Sequence, residues 1–298
     1  MADGGGDRPP TQAALRSWAD QRWPGQGWAT SRLTHGAFHP VLLGDDRVLR
    51  VAVGPGHEER ARWELVSHTL VAAVALPWPV PRLLAPTVVA GPTWSAPLLE
   101  RLPGAVAPDL AWGSRTATVF GRLLRSLART DEALVAGLPP HRAWCGGTGW
   151  RGVVEEDLAP LLPRSAATAA TRAADAALAL EGRVQPVLCH GDLGPHNVLW
   201  RDGRPAGVVD LDHACVADPA VDVAGLVAFF DAGAVAELVD ADVLDRAITL
   251  RAVLGLEVAA AAHLLGDVAL RDHALANFVR RSANGELRIA PSRPRRPR

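Results

Sequence analysis

The 298-residue sequence predicts an α+β fold with a small β-rich N-terminal lobe and a larger, mostly helical C-terminal lobe. Three observations carry this expectation. The first hundred or so residues alternate helix-type and strand-type patterning and read as helix, hairpin, helix, hairpin. The pattern changes at Leu102-Pro103-Gly104, and helical periodicity dominates from there on. An apolar content of 48% over this length supports a sizeable core and does not fit disorder.

Residues 1–10 are polar and Gly-rich, lack the apolar run of a secretion signal, and read as a disordered tail. Residues 11–23 have helical spacing, with Leu15 and Trp18 on one face. From 27 to 53 the pattern shortens into strand-type runs, punctuated by His35-Gly36 and Gly44-Asp45-Asp46. Helical spacing returns over 58–74 and stops at Pro77, Pro79 and Pro81, since proline lacks the amide donor that a helix needs. Two strands, 83–89 and 93–99, flank the turn Ala90-Gly91-Pro92. The N-terminal lobe thus spans 11–102, with a hinge near 99–104, and the helical lobe spans 105–285. Its helices are expected over 114–129, 166–180, 221–230 and 242–281, with short strands at 187–189, 198–200 and 207–209. Residues 286–298 form an Arg/Pro-rich tail whose composition fits a solvated end.

All 31 basic residues are arginine, against 32 acids, giving a net charge of -1. That balance lacks the basic excess of a nucleic-acid binder. With neither Lys nor Tyr in the chain, Schiff-base lysines, P-loop lysines and tyrosine acids are excluded. Any cation that binds phosphate must be Arg, His, a metal or a backbone amide. Three cysteines without a CxxC pair suggest neither a zinc site nor a disulfide framework. The most apolar stretches are interrupted by Pro79 and Pro81 or by Glu257 and His263, so no membrane span is expected. The simple expectation is a cytoplasmic protein, a monomer or homodimer, that binds neither nucleic acid nor membrane.

The chemistry concentrates in residues 188–226, LCHGDLGPHNVLWRDGRPAGVVDLDHACVADPAVDVAGL. His190-Gly191-Asp192 closes a short apolar run, and Asn197 follows five residues after Asp192. A hairpin with Asp202-Gly203 at its turn then delivers Asp210 at the end of Gly207-Val208-Val209. Phosphoryl transfer needs the phosphates neutralised and a hydroxyl placed in line. Mg²⁺ takes a few hard oxygens and keeps waters. Asn197 and Asp210 supply such oxygens from adjacent strand ends. Asp192 is left to orient an attacking hydroxyl and accept its proton, and His190 to hold the loop in shape. A lone Asp after a strand is more often a cap or turn residue. The joint spacing, with one of only three asparagines at its centre, favours the functional reading.

These residues resemble the aminoglycoside phosphotransferase family, small-molecule kinases with a two-lobed protein-kinase-like fold. The family's HGDxxxxN loop matches His190 to Asn197. Its V-D-x-D metal segment matches Val209-Asp210-Leu211-Asp212, and its D-P-x-x-D-x-A run matches Asp218 to Ala224. The resemblance implies that Asp192 is the catalytic base, that Asn197 and Asp210 bind Mg²⁺, and that Asp222 holds the loop. It leaves Asp212 either assisting the metal or merely solvated. ATP is the implied phosphate donor, with GTP as an alternative.

The resemblance also assigns the first lobe. The turn around Gly36, Phe38 and His39 would cover phosphates with backbone amides, or is a plain hairpin turn. Alternation in Arg47-Val48-Leu49-Arg50 puts Val48 and Arg50 on one face. Kinases place there an apolar residue over adenine and a lysine on the phosphates. Here Arg50 stands at the lysine position, and a solvated strand arginine is the alternative. Glu64 is the preferred helix carboxylate to pair with it, and Glu58 and Glu59 stay open. Glu100 and Leu102, in the run Glu100-Arg101-Leu102-Pro103-Gly104, match the hinge that hydrogen-bonds adenine.

Between Asp210 and Arg246 stand nine acids and one arginine. They would suit a cationic acceptor, or serve as helix-start acids. Asp212, Asp231 and Glu257 are the candidate acceptor ligands. A finer likeness, through Gly36, Phe38, His39, Val41, Gly44, Arg47, Val48 and the HGDLGxxNVLW run, points to the branch that phosphorylates the tuberactinomycin peptides viomycin and capreomycin. The expectation is therefore an ATP- and Mg²⁺-dependent O-phosphotransferase of a cationic antibiotic, an aminoglycoside or a tuberactinomycin, that confers resistance. The alternatives are a kinase of a macrolide or metabolite alcohol, a non-catalytic pseudokinase, and an interaction protein acting through its tail.

Overall fold

The computed structural model describes residues 10–36, 38–85, 89–91, 93–107 and 109–288. Helix α1 (Gln12–Arg22) opens the chain, its first turn capped by the Thr11 hydroxyl on the Ala14 N–H at 3.2 Å. Strands β1 (Arg32–His35), β2 (Pro40–Leu43), β3 (Arg47–Arg50) and β4 (Ala52–Val53) lead into α2 (His57–Ala72). Then come β5 (Val89–Ala90), β6 (Trp94–Ala96) and β7 (Leu98–Glu100). The helical part holds α3 (Ser114–Ala128), α4 (Glu132–Val135), α5 (Trp150–Gly152), a π-helical stretch over Val153–Leu158 and α6 (Arg164–Leu178). Strands β8 (Val187–Cys189), β9 (Val198–Arg201), β10 (Arg204–Val208) and β11 (Cys215–Ala217) precede α7 (Ala220–Val235), α8 (Ala241–Leu264) and α9 (Val268–Ala283). The chain divides into two compact units.

Unit 1 comprises Met1–Asp109, Arg129–Pro139 and Pro195–Val216. Its main sheet is antiparallel in the order β1-β2-β3-β7, with a second sheet in the order β4-β6-β5. Leu49 of β3 is fully buried with Leu42, Leu98, Trp28, Trp94 and Leu15 of α1. Because side chains alternate along a strand, Val48 and Arg50 fall on the face of β3 opposite this core. The β9–β10 hairpin turns at Asp202 and Gly203, whose φ values of 50° and 70° suit the tight turn that an Asp-Gly pair favours. Val208 donates to the Pro79 carbonyl at 2.9 Å, and Ala105 and Trp200 exchange backbone hydrogen bonds of 3.0 and 2.8 Å. The hairpin is thereby fixed both to the loop after α2 and to the segment that follows β7.

Unit 2 comprises Leu110–Ala128, Pro140–Gly194 and Ala217–Arg298. Helix α8 packs against α6, α7 and α9, with Ala259 to Ala262 almost fully buried, so small side chains let the helix axes approach. Helix α3 buries Thr116, Phe120, Leu123 and Leu127, the spacing of a one-sided helix. By length and composition α8 would pass for a membrane span, but it is mostly buried inside the unit and carries Glu257 there. Arg142, only 2% exposed, donates from Nε to Glu257 (2.6 Å) and from Nη1 to Glu181 (2.5 Å), and lies 4.6 Å from the Trp150 ring. This arginine ties the loop before α5 to α8 and to the end of α6.

The structure corrects several expected boundaries. The single helix expected over 242–281 is two, because Gly266 turns left-handed (φ 73°) and the Asp267 carboxylate caps α9 on the Leu270 N–H. Helix α7 runs on to Val235, with a kink at Asp231. In place of a strand over 83–89, Leu83 makes a single bridge to Leu99 and β5 begins at Val89. Of the tails expected at 1–10 and 286–298, only Pro10 and Glu286 to Arg288 are among the described residues.

Arg142→Met should lower the unfolding free energy by about 3–5 kcal/mol, because Glu257 is left buried without its partner. The double variant Arg142→Met with Glu257→Leu should regain much of that loss in urea denaturation.

Candidate active site

Arg50 uses each of its three guanidinium nitrogens on a different carboxylate. Nε stands 3.0 Å from Glu64 Oε1, Nη1 2.6 Å from Asp210 Oδ1, and Nη2 3.2 Å from Asp212 Oδ2. All four side chains belong to unit 1. Glu64 is 1% exposed on the inner face of α2, whereas Glu58 and Glu59 are exposed and Glu58 pairs with Arg62. The geometry therefore selects Glu64 among the three candidates. His39 Nδ1 lies 3.6 Å from Asp212 Oδ2, and burial pushes its pKa down to about 3, so its ring is neutral. The Gly36 N–H donates to the His39 carbonyl at 2.9 Å, and the Phe38 ring lies edge-on to His213 at 6.5 Å. The Gly36 turn thus rests on the Asp210–His213 segment.

Three acids sharing one guanidinium leave the cluster with a formal charge of -2 when every acid is ionised. Burial raises the carboxyl of Glu64 to about 8 and also raises that of Asp210, with Arg50 opposing both. The cluster is short of positive charge.

The hairpin brings Asn197 and Asp210 together. Val209 donates to the Asn197 carbonyl at 3.0 Å, so the residues flanking β9 and β10 are neighbours. Asp210 is left-handed (φ 68°), a conformation uncommon outside glycine, and Arg50 holds its carboxylate while 37% of the side chain remains exposed. Among the described residues no group of three or more His, Cys, Asp or Glu forms a ready-made cation cage. A carboxylate, an amide and a cluster short of positive charge nonetheless fit Mg²⁺, which binds few protein oxygens and keeps waters.

The HGD loop lies in unit 2. Buried Asp222, in the first turn of α7, accepts from the His190 and Gly191 amides at 2.9 Å each. Burial pushes its carboxyl up, while His190 and these two amides favour the charged form. The Asp192 N–H donates to His190 Nδ1 at 3.3 Å. A Cβ on Gly225 would sit 2.5 Å from the Leu193 carbonyl, so only glycine lets α7 approach the loop this closely. Asp218 caps Ala220 and takes two bonds from Arg246, at 2.6 and 3.1 Å.

Other expected residues are placed as follows. Val48 shares the Arg50 face, opposite Leu99. Glu100 donates its N–H to the Arg82 carbonyl at 2.8 Å and pairs its carboxylate with Arg82, and Leu102 is buried. Asp231 is exposed, with φ 67° and ψ 165°, and its carboxylate caps the Ala234 N–H. Glu257, expected at the acceptor, is instead enclosed and held by Arg142; an acid on an apolar helix looks the same in sequence whichever it faces. Arg142 and Arg246 were not anticipated. No short motif announces a partner so distant in the chain.

A kinase-like fold with these motifs defines a small-molecule phosphotransferase. Residues 31–256 match the phosphotransferase enzyme family, and the chain belongs to it. It is 32% identical over 221 residues to the viomycin phosphotransferase of Streptomyces vinaceus, covering 68% of this chain and 74% of that protein. Among solved structures it resembles the GDP complex of aminoglycoside 2'-phosphotransferase-IIIa, with a TM-score of 0.72 and 16% identity over 93% of this chain and 100% of that one. It also resembles macrolide 2'-phosphotransferase MphH from Brachybacterium faecium, with a TM-score of 0.61 and 24% identity over 89% of this chain and 97% of that one.

A carboxyl whose pKa rises on folding stabilises the fold fully below its unfolded value and loses that contribution as pH rises through the folded value. Metal-free protein should therefore lose stability between pH 4.5 and about 8 through Glu64. Glu64→Gln should flatten that slope in urea titrations across the range.

Proposed function

We propose that this phosphotransferase moves the γ-phosphoryl group of ATP, with GTP as the alternative donor, to a hydroxyl of a cationic antibiotic in the cytoplasm. The acceptor is a tuberactinomycin peptide or an aminoglycoside, and the physiological outcome is resistance. The observation that carries the acceptor class is the 32% identity to a viomycin phosphotransferase. The exposed acids of the stretch after the metal segment, Asp231, Glu237, Asp240 and Asp242, support it, since a negative surface steers a polycation.

The chemistry follows from the residues. The acceptor oxygen attacks the γ-phosphorus, the bond to the bridging oxygen breaks, and its electron pair leaves with the nucleoside diphosphate. Asp192 orients the acceptor hydroxyl and takes its proton. Asp222 fixes the backbone that carries Asp192, through the His190 and Gly191 amides. Arg50, steadied by Glu64, offers a planar cation to the phosphates. Asn197 and Asp210 would hold Mg²⁺, which supplies charge neutralisation to the phosphates. Val48 would pack on the base, with Gly36, Phe38 and His39 above the phosphates. Glu100 and Leu102 would offer their backbone to the base.

Asp192→Asn should lower kcat about 10²–10⁴-fold while leaving the melting temperature unchanged. Wild-type turnover in that variant would remove the assignment. Purified protein should be screened with viomycin, capreomycin, kanamycin, a macrolide and a simple alcohol, with phosphate adducts read by mass. A cationic acceptor should bind more weakly as salt is added. Phosphorylation of the macrolide alone would overturn the tuberactinomycin and aminoglycoside assignment, and phosphorylation of the simple alcohol alone would overturn the cationic class.

A further inference from the structure

Arg50 has a consequence beyond binding phosphate. A lysine presents its three donors on one compact nitrogen, which must itself stand within reach of every carboxylate it serves. A guanidinium presents a rigid planar fork. Here Nη1 and Nη2 hydrogen-bond Asp210 and Asp212, and Nε stands in ion-pair contact with Glu64 without a hydrogen bond. The side chain is 11% exposed, so it is not free to swing into water. Its shortest contact, 2.6 Å, is to Asp210 Oδ1, a charge-assisted bond to the carboxylate that the family motif gives to the metal. The left-handed backbone at Asp210 sets the direction of that carboxylate.

We infer that Arg50 closes the metal site of the nucleotide-free protein, acting as resident counter-ion to Asp210 and Asp212 until phosphates draw it away. The inference rests on the assignment of Asp210 to the metal. A divalent ion on Asp210 would lie beside the guanidinium and be repelled by it. When nucleotide phosphates compete for Arg50, its hold on Asp210 weakens and the cluster loses its resident cation. The divalent ion then supplies the missing charge. Metal and nucleotide should therefore tighten each other's binding by the same factor, as linkage requires.

The probe is Mn²⁺, with protein-bound ion read by water-proton relaxation and corrected for Mn²⁺·ADP in solution. Wild-type protein should bind Mn²⁺ about tenfold more tightly with ADP than without. Arg50→Lys keeps the positive charge but holds fewer carboxylates. Without ADP it should bind Mn²⁺ about tenfold more tightly than wild type, and its dependence on ADP should shrink. A merely structural arginine would not yield that gain. Calorimetry of ADP binding to wild type, with and without Mn²⁺, should show the same factor and needs no variant to fold. Equal Mn²⁺ affinity of wild type with and without ADP, or an unchanged affinity in a folded Arg50→Lys, overturns the inference. No Mn²⁺ binding in any state, ADP included, would instead remove Asp210 from the metal, and the inference with it.

Discussion

Unit 1 is organised around one guanidinium that answers three carboxylates. Burying a charge is costly unless it is paired and hydrogen-bonded. Arg50 meets that condition only if β3, α2 and the Asp210–Asp212 segment are all in place. The strand supplies the face, because the opposite face of β3 is committed to the tryptophan-lined core through Leu49. The helix supplies Glu64 from its inner side. The hairpin supplies Asp210 and, through the Val209–Asn197 hydrogen bond, keeps Asn197 next to it. A chain without lysine thus keeps one buried cation on the face of β3 that carries Val48.

Unit 2 solves a different problem, the fixing of a loop rather than a cation. Asp222 does so with two backbone acceptor bonds, and Gly225 does so by having no side chain in the way of Leu193. Asp218 ties the start of the same helix to α8 through Arg246. The helix after the HGD loop therefore reads as a brace. Asp222 in its first turn and Asp218 just before it serve the fold before they serve any ligand. Elsewhere in the unit, Arg142 and Glu257 restrain a loop that has no regular helix to hold it.

Local patterns in the sequence foretold much of this. The alternation in β3 gave the shared face of Val48 and Arg50, and the Asp-Gly pair gave the hairpin turn. Spacing alone could not choose among Glu58, Glu59 and Glu64, since the helix register relative to β3 is a tertiary fact. Nor could it show that Asp212 also reaches Arg50. Glu257 misled for a related reason: its partner, Arg142, stands 115 residues earlier in a stretch with no periodicity. The break between α8 and α9 rests on one left-handed glycine and one cap. A long run of helix-forming residues conceals both.

The β9–β10 hairpin has an evolutionary side. Its base carries Asn197 and Asp210, while its tip, Asp202-Gly203, points to solvent with Asp202 almost wholly exposed. The pairing between Val198 and Val208, the shift between Pro205 and Gly207, and the bond from Val208 to Pro79 all lie below the tip. Lengthening a surface turn costs little free energy, whereas a one-residue slip in the ladder would turn Asp210 to the wrong face. Lineages can therefore vary the length of this tip, or an engineer can graft a reporter peptide there, without moving the residues at its base.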